Sequence, residues 1–237
     1  MEPQMLVEQS KAFLDYLTDW YAKLPTLDLA AVVQEPQRAA VISEDLVKGF
    51  CTIGPLASPR VQAIVAPSVR LIQRAHELGI SHFLLLQDTH EPDAVEFGNF
   101  PPHCVRGTQE SEIAPELAAL PFVSQFTTIP KNSLNPALTL GLQDWLIRHD
   151  AIRTFIVVGD CTDLCVYQIA MALRVRANDL QQRDMRVIVP ADCVDTYDLP
   201  VDTARTLGIL PHAGDLLHLI FLYHMALNGV EIVAAIQ

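Results

Sequence analysis

Four short, unbroken apolar runs constrain this chain most: "AAVIS" (39–43), "HFLLLQ" (82–87), "TFIVVG" (154–159) and "MRVIVP" (185–190). None alternates apolar with polar residues, so a strand built from any of them is buried on both faces, as strands of parallel sheets are. Segments of helical period lie between them, notably "RVQAIVAPSVRLIQRAHELG", "PALTLGLQDWLIRHD" and "DLCVYQIAMALRVRAND". "PVDTARTL" and "GDLLHLIFLYHMAL" read as closing helices, and "GVEIVAA" as a possible last strand. Strands alternating with helices of this length form βαβ units. The expected fold is a three-layer α/β/α, Rossmann-like arrangement around a central, mainly parallel sheet of about six strands.

Two regions depart from the alternation. "EQSKAFLDYLTDWYAKL" carries Phe13, Leu14, Leu17, Trp20 and Tyr21 at helical spacing. Residues 1–35 therefore read as a helical extension lying on a main body of residues 36–237. A proline-rich irregular stretch runs from Asp88 to Pro130, with a short helix near "SEIAPELAAL" and a loop at Ile129-Pro130 that delivers Lys131.

Composition narrows the partners. A net charge of −12 argues against a nucleic-acid surface and against binding to an anionic membrane. No basic region followed by an apolar run opens the chain, and the apolar runs are too short to span a bilayer. Five cysteines, an odd number at uneven spacing, fit free thiols in a reducing compartment better than a disulfide framework. The expectation is a cytoplasmic protein that is free to form a homo-oligomer.

In open parallel sheets, ligands collect at the carboxyl ends of the strands. The first run ends just before Glu44 and Asp45, the second in Asp88-Thr89-His90, and the third in "DCTDLC" (160–165). Thr162 or Asp163 is a plausible N-cap, which places Cys165 in the first turn of the next helix. Free N–H groups there, with a lysine nearby, favour a thiolate. The competing reading of Cys165 is a small core residue. Asp88 and His90 stand at i and i+2, so both side chains can reach one cation. His103, after Pro101-Pro102, is a candidate third ligand and Glu96 a fourth. Imidazole with carboxylate suits zinc, with manganese or iron as alternatives, and the competing reading is a surface loop with incidental histidines. Nothing resembles a phosphate-binding glycine loop, so no nucleotide cofactor is implied.

Taken in order, Asp45, "DTHEPDAVEFGNFPPHCVRGTQESE" (88–112), "IPKNS" (129–133) and "GDCTDLCV" (159–166) resemble the isochorismatase-like cysteine hydrolases, and within them the nicotinamidases. The resemblance runs from about Ala39 to Asp198. It implies the isochorismatase-like form of the α/β/α fold, with Asp45, Lys131 and Cys165 catalytic and one divalent metal ion on Asp88, His90, Glu96 and His103. It also implies an oxyanion hole from the backbone N–H groups of Cys161 and Cys165, with a cis peptide before Cys161. The implied reaction is hydrolysis of nicotinamide to nicotinate and ammonia through a cysteine thioester, in pyridine-nucleotide salvage. Another amidase of the superfamily, acting on a carbamoyl or ureido substrate, is the second expectation, and a non-catalytic binding protein of this fold the third. The first motif departs from the family: it reads "VISEDLVKGFC", with Gly49 where a second acid is usual. Cys161 likewise stands where a small residue such as alanine is frequent.

Overall fold

A computed structural model describes residues 3–237. Helix α1 (Pro3–Ala22), strand β1 (Thr26–Leu27) and helix α2 (Leu29–Val32) precede the first core strand, β2 (Ala39–Glu44). Then follow α3 (Lys48–Cys51), α4 (Pro59–Glu77), β3 (His82–Asp88), α5 (Pro115–Ala118), β4 (Thr127–Lys131), α6 (Leu140–Arg148) and β5 (Thr154–Asp160). The chain continues through α7 (Cys165–Asp179), β6 (Arg186–Pro190), β7 (Val194–Asp195), α8 (Val201–Leu207), α9 (Gly214–Leu227), β8 (Glu231–Val233) and β9 (Ala235–Ile236).

All four apolar runs form strands of one seven-stranded sheet, ordered β4-β3-β2-β5-β6-β8 with β7 beside β5, and every pairing is parallel. Alternate residues of one strand feed opposite layers. Val41, Ile156 and Val158 pack with Val61, Ile64, Val65 and Ile72 of α4, whereas Ala40, Ile42, Phe155 and Val157 pack with α6, α7 and α9. Helix α4 starts where Ser58 accepts the Arg60 N–H and Pro59 supplies a preset helical φ.

Beside the four runs and β8, the sheet takes in two short strands with no such signal, β4 and β7, which makes seven against about six expected. Lys131 lies at the end of β4 rather than on a loop; Pro130 breaks the local strand signal, yet β4 is an edge strand that pairs only with β3 and does not need that N–H. Along α1, Leu17 is buried and Trp20 stacks edge-on against Tyr223 of α9. Phe13, Leu14 and Tyr21 remain more than a third exposed, because a single neighbouring helix covers only a narrow stripe. Among the described residues, no helix is long and apolar enough to cross a membrane.

Strand order decides where a site forms. From β2 the chain winds through β3 to β4, then crosses back to begin β5 on the other side of β2. Their carboxyl ends flank the topological switch point, where crossovers diverge and leave a crevice. Gly159 brings these ends together: it is paired with Glu44, and a Cβ there would lie 1.9 Å from the Glu44 carbonyl oxygen.

Candidate active site

Asp45 is the first residue beyond β2. Its φ is +53°, in the left-handed region that aspartate tolerates better than most residues, and Oδ1 accepts the Asp88 N–H at 2.7 Å. Lys131, carried by β4, extends beneath the strand ends. Its Nζ lies 2.6 Å from Asp45 Oδ2, 2.5 Å from Asp88 Oδ1, 3.5 Å from Glu44 Oε1 and 3.5 Å from Cys165 Sγ. Cys165 is the first residue of α7, and its sulfur lies within 4.8 Å of carboxylate oxygens of Glu44 and Asp45. Four side chains from the carboxyl ends of three strands, β2, β3 and β5, thus meet around one ammonium group, and all are almost fully buried.

Burial sets the protonation states. It pushes the Cys165 thiol well up, against the pull of Lys131, so the resting side chain is a thiol. It also raises Asp45, and the Asp88 charge raises it further, to about 6 despite Lys131. Burial alone would lower Lys131, but Asp45 and Asp88 outweigh it and keep the ammonium charged. Asp88 feels the same burial; Lys131 and the two imidazoles overcome it and hold the carboxyl well below the usual range. Asp45 is therefore the nearby carboxylate suited to receive a thiol proton near neutrality.

Asp88 faces a second group with its other oxygen. Oδ2 lies 3.4 Å from His90 Nε2 and 3.7 Å from His103 Nε2, and one donor atom from each of the three falls within 4.8 Å of the others. His90 Nδ1 sits 3.2 Å from Asn132 Oδ1, and His103 Nδ1 2.8 Å from the Pro101 carbonyl. Acceptors at both Nδ1 atoms fix the proton there and turn the Nε2 lone pairs inward, as in metal-binding histidines. Asp88 Oδ2 and His90 Nε2 have no hydrogen-bond partner despite complete burial. A borderline cation such as zinc fits this oxygen–nitrogen–nitrogen set. Glu96 lies outside the tight trio: Oε2 accepts the Leu134 N–H at 3.3 Å, while Oε1 is unpartnered in the same cleft.

The loop 160–165 departs from expectation at its cap. Leu164 occupies the N-cap position without a side-chain bond, because Thr162 and Asp163 are engaged elsewhere. Thr162 Oγ1 pairs with His218 Nδ1 at 2.9 Å, and Asp163 Oδ2 with His212 Nε2 at 2.8 Å. The peptide before Cys161 is cis. The Cys161 carbonyl accepts from Leu164 and Val166, so the Cys165 N–H is left among the free donors of the helix start. Cys161 Sγ donates to Asp160 Oδ2 at 3.6 Å.

Four further residues surround this site that had no role by sequence alone: Glu44, Asn132, Asp160 and His212. Glu44 and Asp160 are buried acids lifted by burial and by the Asp45 charge. Position 49 is closed to a larger side chain: a Cβ on Gly49 would meet Cys104 Sγ at 2.6 Å and Glu110 Cβ at 3.0 Å. The cleft over Cys165 is walled by Phe50, Leu56, Phe100, Leu134, Leu164 and Tyr197, with His103 and Glu96 at one side. A thiol and a carboxylate base that line one apolar cleft, an ammonium buried beneath them, and a cation site reached through Asp88 and His103 can carry out acyl transfer from a small substrate.

The chain is 29% identical over 223 residues to nicotinamidase 1 of Arabidopsis thaliana, covering 87% of this chain and 89% of that one. The pyrazinamidase of Pyrococcus horikoshii, solved in complex with zinc, shares the fold at a TM-score of 0.59 and 22% identity, over 83% of this chain and 98% of that one. N-carbamoylsarcosine amidase from Thermoplasma acidophilum does so at 0.58 and 22%, over 83% and 95%. The isochorismatase domain pattern spans residues 39–209, from the first residue of β2 to just past α8, and takes in every one of the predicted site residues. The chain is a hydrolase of the isochorismatase family.

Proposed function

We propose that the protein is a metal-dependent nicotinamidase, hydrolysing nicotinamide to nicotinate and ammonia. One observation supports the reading: the buried Asp45–Lys131–Cys165 contact reaches one apolar cleft through Asp45 and Cys165, and the Asp88–His90–His103 cluster reaches the same cleft through Asp88 and His103. An amidase acting on a plain aliphatic amide has no use for the second group, whereas a pyridine carboxamide presents a ring nitrogen as well as a scissile carbonyl.

The chemistry follows from the geometry. As Cys165 Sγ attacks the carboxamide carbon, its proton passes to Asp45, and Lys131 holds the negative charge between them. The carbonyl oxygen becomes an oxyanion that accepts from the N–H groups of Cys161 and Cys165, a contribution typically worth about 3–4 kcal/mol per donor. Asp45 returns the proton to the leaving nitrogen, the C–N bond breaks, and ammonia departs from a thioester. Water then attacks the thioester carbon, giving its proton to Asp45; the C–S bond breaks, nicotinate leaves and the thiol reforms. Asp88, His90 and His103 would hold the metal ion, with Glu96 a further ligand directly or through water. When bound, the ion supplies a Lewis-acid contact that orients the ring nitrogen. Residues 1–35 read as an extension to this hydrolase domain, and release of nicotinate places the reaction in pyridine-nucleotide salvage.

The test is ammonia release from nicotinamide and pyrazinamide, with and without chelator, for the wild type and Cys165→Ala. Chelator-sensitive release lost in Cys165→Ala is expected. Undiminished turnover in that variant, or turnover only on ureido amides, overturns the reading.

A further inference from the structure

His212 carries no step of the catalytic scheme above, yet it is buried and held on every side. Its backbone N–H donates to the Leu199 carbonyl at 2.9 Å, and its carbonyl accepts the Leu199 N–H at 2.7 Å. Its ring stacks on that of Tyr197, with centroids 3.8 Å apart and planes 19° from parallel. Nδ1 lies 2.8 Å from the Tyr197 carbonyl oxygen, and Nε2 lies 2.8 Å from Asp163 Oδ2. Both ring nitrogens thus face acceptors, so Nδ1 carries one proton and a second is shared between Nε2 and Oδ2. Asp163 depends on this contact. Both residues are 8% exposed, and the other Asp163 oxygen has no partner among the described residues. A buried carboxyl stripped of its one donor is costly to keep in place.

His212 joins two parts of the site. Tyr197 walls the cleft, and Asp163 is the midpoint of the turn from Cys161 to Cys165, which carries the nucleophile and both oxyanion donors of the proposed mechanism. We propose that His212 is a positioning residue: by tying Asp163 to Tyr197 it sets this turn against the cleft wall along which the substrate lies. This deepens the amidase reading and rests on it. His212 does not itself line the cleft, so it acts through these two neighbours and not on the substrate. The early part of the turn has its own anchors, since the Thr162 N–H donates to the Asp195 carbonyl at 3.0 Å and Thr162 Oγ1 meets His218. Loss of His212 therefore displaces the later part, which leads to Cys165. Donors aimed at an oxyanion act where charge develops, so a loss of aim slows the chemical step while ground-state binding changes little.

The experiment compares zinc-loaded wild type, His212→Phe, Asp163→Ala and Asp163→Asn. It measures kcat and KM for nicotinamide per folded molecule, counted by near-UV circular dichroism, and Ki for pyridine-3-carbaldehyde. Cys165 Sγ adds to the aldehyde carbon, its proton passes to Asp45, and the carbonyl π pair becomes an oxyanion in an adduct with no group to leave. His212→Phe keeps the stack on Tyr197 and donates nothing. Its kcat is expected to fall about 100-fold, the scale of a misplacement of about 1 Å, with KM little changed. Ki for the aldehyde is expected to rise by the same factor. Asp163→Ala is expected to show the same paired loss, and it carries the test if His212→Phe fails to fold. Asp163→Asn keeps the shape and offers an N–H to the Nε2 lone pair, so it is expected to recover most of that loss. A kcat per folded molecule equal to the wild type, a loss confined to KM, or a kcat loss with unchanged Ki overturns the role of His212 and leaves the amidase reading intact. A wild type inert towards both nicotinamide and pyrazinamide overturns both.

Discussion

Replacing Lys131 by methionine tests whether one buried ammonium holds the site together. Methionine nearly matches the lysine stem in volume, so the change removes charge and donors rather than packing. In the native site Nζ contacts Asp45 at 2.6 Å and Asp88 at 2.5 Å, both buried. Were these ordinary surface pairs, losing them would cost about 0–1 kcal/mol. Removing one partner of a buried pair instead leaves an uncompensated charge and costs about 3–5 kcal/mol. Asp45 keeps the Asp88 N–H as a donor, so the lower half of that range is the expectation for stability. In a chain of this size each kcal/mol moves the melting temperature by about 2–4 °C, which predicts a fall of at least about 6 °C. Urea unfolding in chelator, wild type against Lys131→Met at equal m-value, measures the difference. Zinc at about 100 times its Kd should then stabilise either protein by about 2.7 kcal/mol if the cluster survives. A loss below about 1 kcal/mol would refute the claim that Lys131 compensates the two carboxylates, and a variant retaining wild-type turnover would remove it from the mechanism.

Three further outcomes are expected. Cys161→Ala should keep substantial ammonia release while Cys165→Ala keeps none; equal loss in both would mean that the Cys161 thiol, and not only its backbone, takes part. Asn132→Ala frees the His90 ring from its 3.2 Å contact, and should weaken zinc binding by about 10–100-fold in a chelator competition, with unchanged affinity the contrary result. Gly49→Asp forces a side chain against Cys104 Sγ, 2.6 Å from the position of its Cβ. Overpacking of this kind costs about 1–3 kcal/mol, so a variant as stable as the wild type in urea would show that Glu110 and Cys104 yield easily.

The sheet was legible because strands buried on both faces must be apolar throughout, and four runs met that demand. β4 was not, because Pro130 argues against a strand everywhere except at an edge, and edges are known only once the strand order is. Asp45, Asp88, His90, His103, Lys131 and Cys165, which the structure brings together, were recognisable through their order and spacing as a family pattern. Their supports were not. His212 and His218 reach Asp163 and Thr162 across 49 and 56 residues of sequence, and by doing so remove both from the capping role that local sequence suggests. Glu44 and Asp160 look like solvated acids in the sequence, since most acids are. Only the pairing of Glu44 with Gly159 shows that the two strand ends press these carboxyls into the interior.

Asp88 joins the two halves of the site through separate oxygens: Oδ1 meets Lys131, and Oδ2 meets His90 and His103. The nucleophile and the cation site therefore share one carboxylate, and damage to it cannot be repaired from one side alone. His103→Ala removes a ligand but leaves Oδ1 with Lys131, so saturating zinc should recover much of its activity. Asp88→Asn keeps size and shape while losing the charge that both sides use. Saturating zinc can refill the cluster in that variant, yet Lys131 then meets a neutral amide at its 2.5 Å contact and balances its charge against Asp45 alone. A lysine so balanced makes Asp45 a poorer acceptor for the thiol proton, so kcat should remain depressed even with the metal site full. Titrating both variants with zinc while following ammonia release separates the cases. If Asp88→Asn recovers as fully as His103→Ala, Asp88 serves the metal alone and the two halves of the site are independent.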